Sequence, residues 1–313
     1  MRFVVLLGLL TVSIGALGCS ESPASARANG TVPPPVSPAE SPEQVVLNVS
    51  RAVADGKLHV VWDALPASYQ KDVTGLIHEF AGKMDRDLWN KGFAIVGKLA
   101  TVLQSKKDII LGMKNLRENP KFDAQKASDQ WDRVVAPLRT IGQSELANLD
   151  SLKRIDVRRF LGTTGSQLVS DVQTIARFSS DGQNKLANLS DTKATLVSRD
   201  GDSAVVRIEV PGEEPKDEAF VRVEGKWITK DMADKWPSQM QDAHSKLAKQ
   251  SSESITESKP QVMQAFAAAD SVLNQLNEAQ TPEQFEQTMK MGMFQMMGII
   301  MSFSQASDGG GPT

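Results

Sequence analysis

Apolar residues recur every three or four positions through residues 42–178, which is the spacing of helices that pack on one face. The first helix is predicted to begin at Ser41, because Pro42 suits a first turn and Gln44 completes a capping box with the serine. Gly56 is predicted to end it. The same spacing predicts further helices over residues 58–65, 66–84, 88–104, 109–116, 123–149 and 166–178.

The period changes to two between residues 195 and 229, where β-branched residues alternate with polar ones. Asp200-Gly201 and Glu224-Gly225 are two-residue turns of the kind that joins antiparallel strands. The strands predicted beside these turns cover residues 195–198, 204–210, 219–223 and 226–229. Because a single hairpin is only marginally stable, the meander is expected to pack its apolar face on the preceding helices.

Two helices are predicted near the C-terminus, after a polar stretch over residues 238–258 that predicts an exposed helix. The first covers residues 260–279, and the second begins at Thr281, where the capping pattern of the first helix is repeated. The apolar side of the second carries Phe285, Met289, Met293, Met296, Ile300 and Phe303. The short connector makes them a hairpin. The predicted fold class is α+β, mostly helical with one small antiparallel β-meander and a C-terminal helical hairpin.

Residues 1–18 have the pattern of an export signal. A basic start at Arg2 precedes about fifteen apolar or small residues, which are too few to span a bilayer as a helix. The run ends at Ala16-Leu17-Gly18-Cys19, and Cys19 is the one cysteine of the chain. This ending resembles the lipobox of bacterial lipoproteins. The resemblance implies cleavage before Cys19, a diacylglyceryl thioether on its thiol and usually an acyl chain such as palmitate on its amine.

An ordinary secretory signal that happens to end near a cysteine is the alternative interpretation of this segment. The apolar run stops at Cys19 itself, which favours lipidation. Ser20 replaces the Asp of the known inner-membrane retention signal. The expected location is therefore the cell envelope, lipid-anchored and extracytoplasmic, at the outer membrane or at the periplasmic face of the inner membrane.

Residues 20–41 are predicted to be a tether. They contain five Pro, five Ser and four Ala, and Val32 and Val36 are their only large apolar side chains. Such a segment buries too little apolar area to offset its ordering entropy, and its Pro-rich part favours extended polyproline II. It is expected to hold the folded body off the membrane. A ligand for a Pro-recognising module is the alternative.

These features divide the chain into five predicted parts. They are a signal peptide over residues 1–18, the lipidated Cys19 with a disordered Pro- and Ser-rich tether over residues 19–41, a helical domain with the antiparallel sheet over residues 42–236, a C-terminal helical region over residues 237–304 and a disordered tail over residues 305–313. The formal net charge of -3 offers no basic surface for phosphates, so no nucleic-acid partner is expected.

Histidines give few candidates for catalysis or metal binding. His59, His78 and His244 match no zinc-binding spacing, and one cysteine cannot form a thiolate cluster. His59 and Asp63 are four residues apart on a predicted helix and could pair as a base and its orienting carboxylate. A local surface contact is the simpler interpretation. We therefore predict no catalytic residue, cofactor or metal ligand.

Two other motifs have both a functional and a structural interpretation. The glycines of residues 162–166 could present backbone amides to an anion at a helix start, or could simply begin a helix. Carboxylates of the loop between the middle strands could bind calcium, or could be a solvated hairpin tip, since their spacing matches no EF-hand. These carboxylates are Glu213, Glu214, Asp217 and Glu218.

Half of the twelve methionines lie within thirteen residues of the last predicted helix. They are Met289, Met291, Met293, Met296, Met297 and Met301. Core packing is the leading interpretation, because several share a helix face with Phe285. A face that contacts a partner or a membrane is the second, and a Cu(I) site is the third, since thioethers are soft ligands. The apolar run is too short to span a bilayer.

A second resemblance covers the first helices and the sheet. Ala52-Val53-Ala54-Asp55-Gly56, Trp62-Asp63-Ala64-Leu65-Pro66 and the closing Gly225-Lys226-Trp227 resemble parts of the nuclear-transport-factor-two-like (SnoaL-like) superfamily. About 110 mostly helical residues intervene where that family has far fewer. The resemblance implies a curved antiparallel sheet that closes a cone-shaped pocket, and it assigns no site residue.

The predicted function is that of a lipid-anchored, non-enzymatic cell-envelope protein that binds the membrane through its lipid and also binds an unknown protein or a small apolar ligand. One alternative is an enzyme with a cone-shaped pocket that uses His59 and Asp63. Another is a methionine-rich module that contacts a metal or a membrane. Trp62, Tyr69, Trp89, Trp131 and Trp227 are expected to be core residues.

Overall fold

The structure is a computed structural model. It describes residues 41–120, 122–176, 185–250 and 252–308. The α-helices are α1 (Pro42–Ala54), α2 (Leu58–Asp63), α3 (Ala67–Lys83), α4 (Arg86–Ser105), α5 (Lys107–Leu111), α6 (Lys114–Arg117), α7 (Ala124–Asp129), α8 (Trp131–Gln143), α9 (Leu149–Leu152), α10 (Val157–Phe160), α11 (Ser166–Ala176), α12 (Lys185–Asn188), α13 (Lys230–Lys249), α14 (Ser252–Glu278) and α15 (Pro282–Asp308). The strands are β1 (Lys193–Asp200), β2 (Ser203–Glu209), β3 (Lys216–Val223) and β4 (Lys226–Thr229). The predicted α+β class is confirmed.

The four strands form an antiparallel meander in the order β1-β2-β3-β4. Glu224 and Gly225, between β3 and β4, have φ values of 48° and 79°, as a tight turn of the primed type requires. α1 packs across one face of the sheet, where Val206, Phe220 and Trp227 are buried. The sheet therefore obtains its core from the helix that begins the described chain.

The turn between β3 and β4 also meets the start of α3. The Ser68 backbone N–H donates to the Glu224 Oε2 over 3.0 Å. This bond satisfies one of the free amides in the first turn of α3, and hydrogen bonds from the Ser68 side chain and then from its backbone N–H lower the pKa of the Glu224 carboxyl. A side chain from the sheet thus caps a helix that lies 156 residues earlier in the chain.

Helix ends follow the predicted signals in part. Gly56 has a φ of 71° and ends α1, as expected of a left-handed stop. Ser41 occupies the cap position of α1, but its side chain makes no capping hydrogen bond, so that part of the prediction is wrong. The repeated pattern does cap α15, where the Gln284 backbone N–H donates to the Thr281 Oγ1 over 3.2 Å.

The helical body is built around α4, which packs against α8 and α14. Trp89 and Trp131 are buried, and their indole N–H groups donate to the carbonyls of Leu146 at 2.8 Å and Leu103 at 2.9 Å. Pairing of these donors removes the cost of burying them. All five aromatic residues expected in the core are buried, which confirms that prediction. They are Trp62, Tyr69, Trp89, Trp131 and Trp227.

The single helix predicted over residues 123–149 is wrong. The segment is divided into α7, α8 and a 3-10 turn at Glu145–Ala147, and α9 begins at Leu149. Ser144 and Asn148 start the new turns, since their side-chain oxygens accept backbone N–H groups of Leu146, Asp150 and Ser151. Local side-chain acceptors thus redirect the backbone where the apolar spacing alone suggests continuity.

The boundary placed after residue 236 falls inside α13, which continues through Pro237. Met240 and Leu247 of α13 are buried against Leu76 of α3, and α14 packs along α4. Residues 237–304 therefore share their core with the preceding helices. α15 runs to Asp308, four residues into the tail predicted from residue 305, and residues 309–313 lie outside the described residues.

Candidate functional site

α15 packs on the body through one side only. Phe285 is buried, and Met289 packs on the core that α4, α8 and α14 share. Gly292 lies against Val272 of α14, and a Cβ placed at Gly292 would be 2.5 Å from the Val272 Cγ1. The two helices approach this closely because glycine has no side chain there.

The opposite side of α15 is apolar and exposed. The exposed fractions are 54% for Met291, 63% for Met293, 76% for Phe294, 57% for Met297 and 55% for Met301. At about 100° per residue, the last four of these fall within an arc of about 100° on the helix surface, opposite Gly292. We call these five residues the methionine face. A contiguous exposed apolar patch on a folded domain marks a contact surface.

The charged residues of α15 lie in its first part, except for Asp308 at its last position. Glu283, Glu286 and Lys290 precede the methionine face, and the Lys290 Nζ lies 3.7 Å from the Glu286 Oε1. Residues 291–307 contain no Asp, Glu, Lys or Arg. α15 therefore has a charged first part that is docked on the body, followed by an uncharged stretch over residues 291–307 whose apolar side chains reach solvent.

Core packing, the leading interpretation of the methionine cluster, holds for Met289, and Met296 is half-buried. It is wrong for the other members, which are Met291, Met293, Met297 and Met301. The reason is geometric, since α14 covers only the side of α15 that carries Gly292. The side chains of Ile300 and Phe303 lie outside the described residues.

His59 and Asp63 do not form the acid–base pair that the sequence offered as an alternative to a local surface contact. The Arg158 Nε and Nη2 each donate to one Asp63 carboxylate oxygen over 2.7 Å. These bonds lower the pKa of the Asp63 carboxyl. The His59 ring packs against Gly162, and among the described residues its buried Nδ1 has no hydrogen-bond partner. Asp63 is therefore committed to an arginine and does not orient the imidazole.

A cleft of about 530 Å³ lies between α3 and the segment that leads into α10. Trp62, Gln70, Lys71, His78 and Arg158 line it. The His78 Nε2 is buried and has no hydrogen-bond partner in the described part of the chain. Sequence reasoning missed this residue because His78 stands in no recognisable motif. The cleft lies between helical segments and not on the sheet.

The glycine-rich segment at residues 162–166 is not a helix start, so the anion-binding interpretation is wrong. Leu161–Gly165 forms a π-helical turn that continues α10 into α11. The Ser166 Oγ donates to the Leu161 carbonyl over 3.1 Å. Backbone amides in the middle of a continuous helical segment are not free to meet an anion.

The acidic residues of the β2–β3 region do not converge on one point. The Asp217 carboxylate accepts two bonds from Arg207 at 2.7 and 2.9 Å, and Glu218 lies 3.2 Å from the Lys216 Nζ. Glu213 and Glu214 are exposed on the loop. Within the described ranges, no group of three His, Cys, Asp or Glu side chains is arranged to hold a metal ion.

The predicted signal peptide, Cys19 and residues 20–40 of the predicted tether lie outside the described residues. Among the helices that the structure describes, none combines the length and the apolar character needed to cross a bilayer. No protein-family model, curated protein or solved structure matches this chain.

Proposed function

We propose that this chain is a lipid-anchored protein of a bacterial cell envelope that works as a non-enzymatic binding module. The single observation that carries the binding role is the methionine face, where Phe294 is 76% exposed on a helix whose other side is docked. Folded domains rarely leave such a patch open to water without a contact to make.

The anchor is supported by the order of features at the N-terminus. Export of a lipoprotein requires three features in a fixed order, and this chain has them in that order. They are a short basic start, an apolar run of signal-peptide length and an ending such as Leu17-Gly18-Cys19. Residues 20–41 then separate the acylated residue from α1. Attachment through two or more acyl chains is stable, whereas one chain binds only marginally.

Methionine and phenylalanine suit a binding surface. Methionine side chains are unbranched and polarisable, so they adapt to apolar partners of varied shape, and an exposed aromatic ring supplies a large contact area. Because residues 291–307 are uncharged, apolar burial rather than ion pairing would supply the binding free energy.

A second candidate function is small-ligand binding in the cleft beside α3. The observation that favours it is the buried His78 Nε2, which has no hydrogen-bond partner among the described residues. A ligand with a hydrogen-bonding group could satisfy this nitrogen. Replacement of His78 by Phe should then abolish ligand-induced stabilisation without lowering the stability of the free protein.

The anchor is tested by mass spectrometry of the chain extracted from bacterial membranes after expression at full length. We expect a mature N-terminus at Cys19 that carries a diacylglyceryl group and an acylated amine. Cys19→Ser should leave the chain uncleaved and unacylated, whereas the matched control Ser20→Ala should be processed normally. An unmodified or differently cut N-terminus would contradict the proposal.

The contact surface is tested with a photoreactive phenylalanine analogue placed at Phe294 in intact envelopes. The same probe at Val172, an apolar residue of α11 with 51% exposure, is the matched control. Specific adducts are expected from position 294 only. Equal yields from both positions would show that the methionine face makes no preferred contact.

A further inference from the structure

The uncharged stretch of α15, residues 291–307, has the dimensions of a helix that lies along a membrane surface. Residues 291–307 span about 25 Å at 1.5 Å per residue, which is less than the roughly 30 Å hydrocarbon core of a bilayer. The segment also belongs to a helix that packs on α14, where Gly292 lies against Val272. Only one side remains available for contact.

The available side is organised for a flat apolar surface. Met293 and Met297 form an i, i+4 row, and Phe294, the most exposed of the five residues, lies beside it. A single helix side of this kind is convex and offers no groove for a partner side chain. Lys290 borders the face and can extend its amine toward headgroup phosphates while its methylenes stay on the apolar side.

We infer that the methionine face lies on the lipid bilayer as a second membrane attachment of this protein. This inference rests on the proposed lipid anchor, which brings the face to the bilayer and keeps it near. Met293, Phe294 and Met297 enter the boundary between headgroups and acyl chains, and the helix lies parallel to the membrane plane. The folded body is then held against the membrane and not at the far end of the tether.

The length of the segment between Cys19 and the body permits this arrangement. Twenty-two residues reach about 70 Å in a polyproline conformation, and a folded body of this size is about 50 Å across. α1 packs on the sheet, whereas α15 packs on α14 and α5. The tether is nevertheless long enough for the anchor and the methionine face to meet the same bilayer.

The anchor also compensates for the small area of the face. Five exposed side chains bind a bilayer weakly by themselves, since their contact area is a small part of one helix. A linked second contact becomes intramolecular and acts at a high effective concentration. The lipid therefore retains the protein, and the methionine face determines which side of the body faces the membrane.

The charge of the C-terminal region indicates that the methionine face binds lipid by apolar contact and not by electrostatic attraction. Residues 237–313 carry four basic and eight acidic residues, so anionic headgroups do not attract this region. Binding should accordingly differ little between zwitterionic and anionic vesicles and should survive an increase in salt.

The test uses the complete mature chain with Cys19→Ser, produced without its signal peptide, so that no acyl group contributes. Flotation measures its partition onto vesicles of phosphatidylcholine and onto vesicles of phosphatidylethanolamine with phosphatidylglycerol. We expect weak, salt-insensitive binding to both, and at least about tenfold less for Phe294→Ser/Met297→Ser. The matched control Val172→Ser/Val197→Ser removes two comparably exposed apolar side chains from α11 and β1 and should bind within about twofold of the parent.

A depth measurement distinguishes insertion from loose adsorption. Phe294→Trp adds one exposed indole to a chain in which Trp62, Trp89, Trp131 and Trp227 are buried and Trp236 is half-buried, stacked on Tyr69, so its quenching is read against that of the parent. Vesicles that contain brominated lipids should quench the emission of this variant and leave the parent almost unchanged. Circular dichroism of each variant should match the parent, because the substituted side chains are exposed.

Three outcomes would overturn the inference. The first is equal vesicle binding by the parent and Phe294→Ser/Met297→Ser, or no binding by either. The second is a concentration-dependent dimer in sedimentation that Phe294→Ser abolishes, which would assign the face to a second copy. The third is a discrete protein adduct from the probe at position 294. None of these depends on the anchor, whose failure would appear separately in the mass of the N-terminus.

Discussion

Trp236 of α13 stacks face to face on Tyr69 of α3, with ring centroids 4.0 Å apart and ring planes within 4°. The Trp236 Nε1 also donates to the Asp72 Oδ2 over 2.9 Å. One indole therefore contacts two residues that are three positions apart on α3. This contact lies directly before Pro237, and it fixes α13 to the helical body at the point where a proline weakens the backbone ladder of the helix.

Trp236→Ala is expected to lower the free energy of unfolding by about 2 to 3 kcal/mol, because it removes the stacked ring and leaves Tyr69 against a cavity. Trp236→Phe keeps a ring in place and loses the hydrogen bond, so a loss of about 1 kcal/mol is expected. Urea unfolding followed by circular dichroism measures both. Equal losses for the two variants would show that stacking contributes nothing.

Gly292→Ala is expected to destabilise the helical hairpin by about 1 to 3 kcal/mol, because the new methyl group would clash with Val272. The matched control is Gly298→Ala on the same helix, where no atom lies within 4 Å of a built Cβ. That change should raise stability by up to about 1 kcal/mol through helix propensity. Val272→Ala should rescue Gly292→Ala in thermal melts, and failure to rescue would argue against this packing.

Glu79 gives a contact between α3 and α13 that depends on pH. Its carboxylate lies 3.1 Å from the Lys83 Nζ and 2.9 Å from the His244 Nδ1, and hydrogen bonds from Lys83 and then His244 lower its pKa. A carboxyl group whose pKa is lowered by folding stabilises the protein at pH values above its unfolded pKa, which is about 4.3 for Glu. That stabilisation is lost as the pH falls through the folded pKa. Glu79→Gln should therefore be less stable than the parent by about 0.5 to 1 kcal/mol near neutrality.

The difference in unfolding free energy between the parent and Glu79→Gln should begin to shrink as the pH falls below about 4.3 and should vanish once the pH lies below the folded pKa of Glu79. Urea titrations across this range measure it. Glu214→Gln, on the exposed β2–β3 loop, is the control and should follow the parent at every pH. A Glu79→Gln deficit that persists in acid would mean that the charge of the carboxylate is not its cause.

Methionine oxidation should separate the two sides of α15. Met293 and Met297 are more than half exposed, whereas Met113 and Met240 are 7% exposed. Dilute hydrogen peroxide is expected to oxidise the exposed pair about tenfold faster or more, because oxidation follows solvent access. Peptide mass spectrometry reports each rate. Similar rates at all four positions would contradict the exposure of the methionine face.

The meander could be predicted because its signals are local. Alternation of apolar residues gave the strand positions, and Gly201 and Gly225 adopt the positive φ values that the turns require. The position of Ser68 against Glu224 could not be predicted in the same way, since it joins residues 156 positions apart. Only the packed structure brings these two together.

The methionine face shows why an apolar stripe does not specify what covers it. The spacing of Phe285, Met289 and Met293 is continuous, so the sequence predicts one packed side over the whole helix. In the structure, α14 covers the side marked by Gly292, which is not the side of Met293 and Phe294. Among the candidate site residues, His59 and Asp63 do not pair for a similar reason, because the Asp63 carboxylate is bonded to Arg158, which lies 95 residues later in the chain.

The bond between Ser68 and Glu224 bears on how such a protein can be rearranged by recombination. The β-meander is contiguous in sequence, which would ordinarily make it a module that can be exchanged between chains. Here its last turn completes the first turn of α3, and its inner face rests on α1. A donor meander without an acidic residue at this turn would leave both partners incomplete, so the sheet and the N-terminal helices are expected to be inherited together.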